Sequence, residues 1–258
     1  MADRLKNKVA IITGGGRGIG AAIARSFIDE GAAVAIAEQD EPSARAVERE
    51  LTAIGGRAIA ILTDITQSDQ VRRAVEGTAE QLGPPDVLVN NAGINVFSNP
   101  LNLTEEDWKR CLAVDLEGAW KCARAVLPHL LSKRGGSIIN IASSHSQQVI
   151  RGCFPYPVAK HGLIGLTRSL AIEFGEFNVR VNAIAPGYIE TKLARDYWNS
   201  FPDPQAERLR VCNLHPPKRL GRPEEVAMTA VFLASDEAPF INGATISIDG
   251  GRSLVYHD

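Results

Sequence analysis

The chain has little of what stabilises small secreted domains or marks metal proteins. Among its 258 residues are only four cysteines, Cys111, Cys122, Cys153 and Cys212, with no CxxC pair and no zinc-like cluster. That pattern argues against a disulfide framework, a metal site or a dithiol redox centre, and suits thiols in a reducing cytoplasm. No apolar run approaches the length of a membrane span, and the N-terminal MADRLKNKVAIIT carries charges where a signal peptide is apolar. Charge of one sign is also missing: the net charge is −2, with acids and bases interspersed. A basic face for nucleic acid or anionic lipid is therefore not expected. These absences leave a globular protein of the cytoplasm whose partner is a small molecule.

What is present is alternation. Short β-branched apolar runs recur at 9–13, 33–37, 58–62, 86–90, 137–142, 179–185 and 244–248. Runs of this kind read as strands buried on both faces of a parallel sheet. Helix-like segments separate them, including 21–31, 41–56 and 162–175. The alternation predicts an α/β fold, a Rossmann-type doubly wound and mostly parallel seven-stranded sheet with helices on both faces. No linker divides residues 1–258, so one dinucleotide-binding and catalytic domain is expected. The stretch 190–217, holding Pro202, Pro204, Pro216 and Pro217, reads as an irregular substrate lid.

TGGGRGIG (13–20) follows the first strand and opens the first helix. Gly14, Gly18 and Gly20 permit a sharp turn and close approach to a pyrophosphate held at a helix N-terminus. The spacing is GxxxGxG rather than the commoner GxGxxG. The second strand ends at Glu38, whose carboxylate can accept bonds from two ribose hydroxyls and repels a 2′-phosphate, whereas Arg17 in the turn favours that phosphate. The carboxylate is the more discriminating of the two, so NAD is favoured over NADP. In CFPYPVAKHG (153–162), Tyr156 and Lys160 stand one helical turn apart on one face.

These motifs resemble the classical short-chain dehydrogenase/reductase family over nearly the whole chain. In particular the chain looks similar to bacterial members acting on sugars or deoxy-keto sugar acids. The resemblance implies that the glycine turn with Ile19, then Asp64 and Ile65, then Asn91, Ala92 and Gly93 of NNAG, and Pro186, Gly187, Ile189 and Thr191 of PGYIET line the cofactor. It assigns Ser143, Tyr156 and Lys160 as the catalytic serine, tyrosine and lysine, the last two also meeting the cofactor. Lys160, with the positive nicotinamide, is expected to lower the phenol's pKa so that Tyr156 exchanges the alcohol proton while Ser143 holds the substrate oxygen. Asp115 occupies the position of the asparagine that completes the family's tetrad, which implies an altered proton relay. His145, Gln147 and Arg151, with Arg195, Tyr197 and Trp198 of the lid, are candidate pocket walls, and Arg151 can clamp a carboxylate. The substrate is expected to be a hydroxyl-rich or acidic small molecule. A reductase of 3-oxoacyl-carrier-protein using NADPH, and a dinucleotide-binding sensor without turnover, are the alternatives. The resemblance further implies a homotetramer, with the tail 250–258 docking on a neighbouring subunit.

Overall fold

Seven runs of apolar residues pair side by side, because each can bury both faces only inside a sheet covered by helices. A computed structural model describes residues 3–255. The strands of its main sheet are β1 (Val9–Thr13), β2 (Ala33–Glu38), β3 (Ala58–Leu62), β4 (Val87–Asn90), β5 (Gly136–Ile141), β6 (Val179–Pro186) and β7 (Thr245–Ile248). All neighbours are parallel, in the order β3-β2-β1-β4-β5-β6-β7. The register sets Ile12 against Ile36 on one side and Val89 on the other. Side-chain alternation then splits the core. Ile12 and Ile36 join Phe27 and Val231 under α1 (Gly18–Asp29), α2 (Glu41–Ala53) and α9 (Pro223–Ala234). Ile11 and Leu88 face the other way, among Val75, Val126 and Ile138. That second layer holds α3 (Ser68–Gln81), α5 (Gly118–Lys133) and α6 (Tyr156–Phe174).

Strand order reverses between β1 and β4, and the carboxyl ends of the strands open a crevice there. A buried polar chain fixes its far wall. Asn90 donates to Asn140 at 2.8 Å, Asn140 to Thr167 at 2.8 Å, and Thr167 to the Leu163 carbonyl at 2.7 Å. This ties β4 through β5 to α6, the helix whose first turn carries Tyr156 and Lys160.

The segment 190–217 departs from the irregular lid expected from its prolines. It forms α7 (Lys192–Trp198) and α8 (Pro204–Asn213), between α6 and α9. Thr191 caps α7 by accepting from the Ala194 N–H, and Asp203 caps α8 by accepting from Gln205 and Ala206. Pro204 sits in the first turn, where a missing N–H costs nothing, so it starts a helix instead of breaking one. Trp198, Val211, Cys212 and Leu220 close a small core beneath them.

Candidate active site

The glycine turn is shaped by near contacts that leave no room for side chains. A Cβ on Gly14 would stand 2.8 Å from the Ala92 Cα, and its φ of +63° is one that L residues rarely adopt. Asn91 latches the turn to β4 by donating its amide to the carbonyls of Thr13 and Gly14 at 3.0 and 2.9 Å. Thr13, within the turn motif but not singled out in the sequence, receives the Asn91 and Ala92 N–H groups on its hydroxyl. The N-terminus of α1 has no side-chain cap and no acidic residue in its first turn, so its N–H groups remain for an anion. Thr191 comes within 3.4 Å of where a Gly18 Cβ would be, placing PGYIET against the turn.

At the tip of β2, Glu38 is buried, and its carboxylate accepts from the N–H groups of Gly16, Gln39 and Asp40 at 3.3, 2.9 and 3.2 Å. Arg17 pairs instead with Asp40, Nη2 to Oδ2 at 3.0 Å. Its charge is thus already met by a carboxylate. Asp64 turns one oxygen to the N–H and hydroxyl of Thr66. Close-approach glycines, an uncapped helix start and carboxylates at the ribose and adenine ends fit a nicotinamide dinucleotide. When bound, it supplies the hydride acceptor or donor.

At the other end of the crevice, the Lys160 ammonium stands 5.4 Å from the Tyr156 ring centroid and donates to the Ile141 carbonyl at 3.2 Å. Its third neighbour is Asp115, with Nζ to Oδ1 at 3.3 Å and both side chains buried. The same carboxylate receives the Ile94 N–H at 3.1 Å and the Cys111 thiol at 3.8 Å. A Cβ on Gly93 would lie 2.6 Å from Asp115 Oδ1, so only glycine admits this pair beside the cofactor crevice. Asp115 lies in a π-helical turn, Ala113–Glu117, joining α4 (Glu105–Leu112) to α5. Such single wide turns often mark functional positions.

Residues 14–253 match the sequence model of a family described as enoyl-(acyl carrier protein) reductase. Meso-2,3-butanediol dehydrogenase of Serratia marcescens is 39% identical over 97% of this chain and 96% of its own. A 3-oxoacyl-[acyl-carrier-protein] reductase of Thermotoga maritima is 36% identical over 96% of this chain and 98% of its own. The chain belongs to the classical short-chain dehydrogenase/reductase family. Among solved structures, a putative NAD(P)-dependent gluconate 5-dehydrogenase from Beutenbergia cavernae with bound NADP superposes with a TM-score of 0.91 at 32% identity, covering 99% of this chain and all of that one. The protein is accordingly an NAD(P)-dependent oxidoreductase acting on alcohol groups.

Electrostatics at this short-chain dehydrogenase site differ from the sequence expectation in one respect. Burial pushes the Tyr156 phenol above its ordinary range, Lys160 pulls it down, and the Asp115 carboxylate pushes it up again. The net direction is upward, chiefly because burial outweighs the pull of the ammonium, with the Asp115 carboxylate adding to the rise. Lys160 loses by burial but gains more from Tyr156 and Asp115, so it is held protonated. Burial also raises the Asp115 carboxyl, against the pull of Lys160 and the Ile94 N–H. Cys111, buried beside it, is pushed up to about 12 and stays a thiol. Ser143 accepts the His145 N–H at 3.1 Å, which leaves its own proton to donate into the cleft.

The expected pocket walls separate into two groups. The His145 ring meets Tyr156 edge-on at 5.9 Å, and Tyr197 stands half exposed on α7. Trp198 does not line the cleft: it is buried with Val211, Cys212 and Leu220 in the small core beneath α7 and α8. Arg151, Gln147 and Arg195 are exposed, and among the described residues their side chains form no hydrogen bond or ion pair. Arg252, not expected from the sequence, shares a cleft with His145 and lies over the ring of Tyr188, which His215 meets edge-on. The tail expectation falls partly on residues 256–258, outside the described residues. Among the described residues no helix is long and apolar enough to cross a membrane.

Proposed function

We propose that this enzyme is an NAD-preferring dehydrogenase of a small polar secondary alcohol, a sugar, polyol or sugar acid, with Tyr156 as acid and base. The observation that carries the cofactor preference is the buried Glu38 carboxylate, beside an Arg17 already paired with Asp40. A 2′-phosphate placed there meets an uncompensated anion and no free guanidinium. In alcohol oxidation, the Tyr156 phenolate accepts the hydroxyl proton, Ser143 donates to the substrate oxygen, and Lys160 stabilises the phenolate. Asp115 holds Lys160 charged through the cycle. For the substrate, support comes from the polar lining of the cleft beside Tyr156, which includes Ser144, His145, Gln148, Asp249 and Arg252.

A 3-oxoacyl-carrier-protein reductase is the second reading, favoured by the Thermotoga relative at comparable identity. Assembly as a homotetramer is supported by the apolar faces that α5 and α6 leave uncovered, with Trp120 42%, Val158 42% and Ile172 85% exposed. Absorbance at the reduced-nicotinamide band separates the readings. NAD reduction by a polyol, sugar or sugar acid supports the first. NADPH oxidation by a 3-oxoacyl thioester, with silence toward NAD, supports the second.

A further inference from the structure

Beyond Tyr156, the strand ends and the C-terminal segment form a small cleft lined by His145, Gln148, Ile150, Asp249 and Arg252. His145 belongs both to this cleft and to the Tyr156 contact, so the cleft adjoins the catalytic phenol. Its one cation is Arg252, whose guanidinium lies over the face of Tyr188 with Cζ 4.7 Å from the ring centroid. Ring stacking leaves the donor edge of a guanidinium open. Among the described residues Arg252 forms no ion pair. The nearest carboxylate in the cleft, Asp249, spends its oxygens on the N–H groups of Gly251 and Ser253 at 3.0 and 2.9 Å. Those bonds, with Gln148 donating to the Ser253 carbonyl at 2.5 Å, fix the turn that presents Arg252.

Two histidines flank this cation with buried nitrogens that lack partners. His145 Nδ1 has none, and neither has His215 Nε2. His215 Nδ1 lies 2.8 Å from the Val211 carbonyl, so it carries the proton and leaves Nε2 a bare acceptor in a neutral ring. The His215 ring stands edge-on to Tyr188 at 5.9 Å, beneath the Arg252 stack. Burial first, and the Arg252 charge after it, hold both histidines below their ordinary range. The fixed positive charge of the cleft is therefore Arg252 alone.

We propose that Arg252 is the anion-binding residue of the substrate cleft and that the substrate carries a carboxylate beyond the carbinol that Tyr156 deprotonates. Arg252 takes the carboxylate-clamping role expected of the exposed Arg151. A bidentate carboxylate satisfies the open donor edge. The inference rests on the proposed dehydrogenase of small polar alcohols and narrows it to hydroxy acids.

The test uses the full chain with NADH and matched probes, D-gluconate against D-glucitol and 3-hydroxybutanoate against 1,3-butanediol. Calorimetric titration reads binding, and NAD reduction reads turnover. In at least one pair the acid binds more tightly than its neutral partner, and Arg252→Gln abolishes that preference by a factor of roughly 10 to 100. Arg252→Lys restores part of it, and the neutral partner's binding is unchanged in both variants. If no acid exceeds its neutral partner in the wild type, or if Arg252→Gln weakens both alike, the proposal is overturned. Arg252-dependent acid binding without turnover keeps the anion site and removes the dehydrogenase reading.

Discussion

Half-buried Tyr156 and buried Lys160 and Asp115 form a ladder of three titratable groups, and in the proposed mechanism its charge balance sets the pH at which the enzyme works. Alcohol oxidation needs the phenolate, so its rate rises with pH through the Tyr156 titration. Asp115 works against Lys160 and moves that titration upward. Asp115→Asn removes the opposing charge, and the alkaline rise of kcat in oxidation is expected to move to lower pH. An unmoved or upward-moved profile contradicts this reading. Tyr156→Phe is expected to lower kcat by roughly 100- to 10,000-fold while leaving NADH binding, read by fluorescence, intact. Glu38→Ser with Asp40→Ser removes two carboxylates and frees Arg17; the kcat/KM ratio for NADP over NAD should rise at least ~100-fold, equivalent to ~2.7 kcal/mol. Unchanged preference would contradict the role given to Glu38. Tyr156 and Lys160 were legible from their spacing together with the other family motifs, since a four-residue spacing alone is common on helices, and Glu38 from its place at a strand end. The Asp115–Lys160 contact was legible only through the family resemblance, because the partners stand 45 positions apart with α5 and β5 between them.

Among elements, the strands were the most legible, since burial on both faces leaves an uninterrupted apolar run in the sequence. The lid was misread, because Pro204 and Pro216 mark loops as readily as they mark the start and end of helices. Only the caps Thr191 and Asp203, and the apolar set around Trp198, decide the matter. That set gives the lid its own stability. Trp198→Ala leaves a cavity in a core of four buried side chains and is expected to destabilise α7 and α8 by about 3 kcal/mol, without unfolding the sheet. Hydrogen exchange of amides 192–213 should accelerate selectively, with KM raised more than kcat is lowered. Exchange quickened evenly across the sheet would instead show that the lid and the sheet form one cooperative unit.

For the molecule as a whole, the parallel order β3-β2-β1-β4-β5-β6-β7 puts cofactor turn, catalytic helix and lid along one edge. Arg252 comes to that edge from the end of the chain, which is why no local motif announced it. The uncovered faces of α5 and α6 are expected to pair chains: light scattering should give a mass well above the 27.8 kDa of one chain, and Ile172→Glu should reduce it. A wild-type mass of one chain would contradict the tetramer. The central claim, an NAD dehydrogenase working through Tyr156, is tested most directly by absorbance at the reduced-nicotinamide band. Wild type and Tyr156→Phe are each mixed with NAD or NADP and a panel of polyols, sugars and sugar acids. Reduction of NAD by one or more of these compounds, lost in Tyr156→Phe, is the expected result. Turnover with NADP alone, or an undiminished rate in Tyr156→Phe, would contradict it.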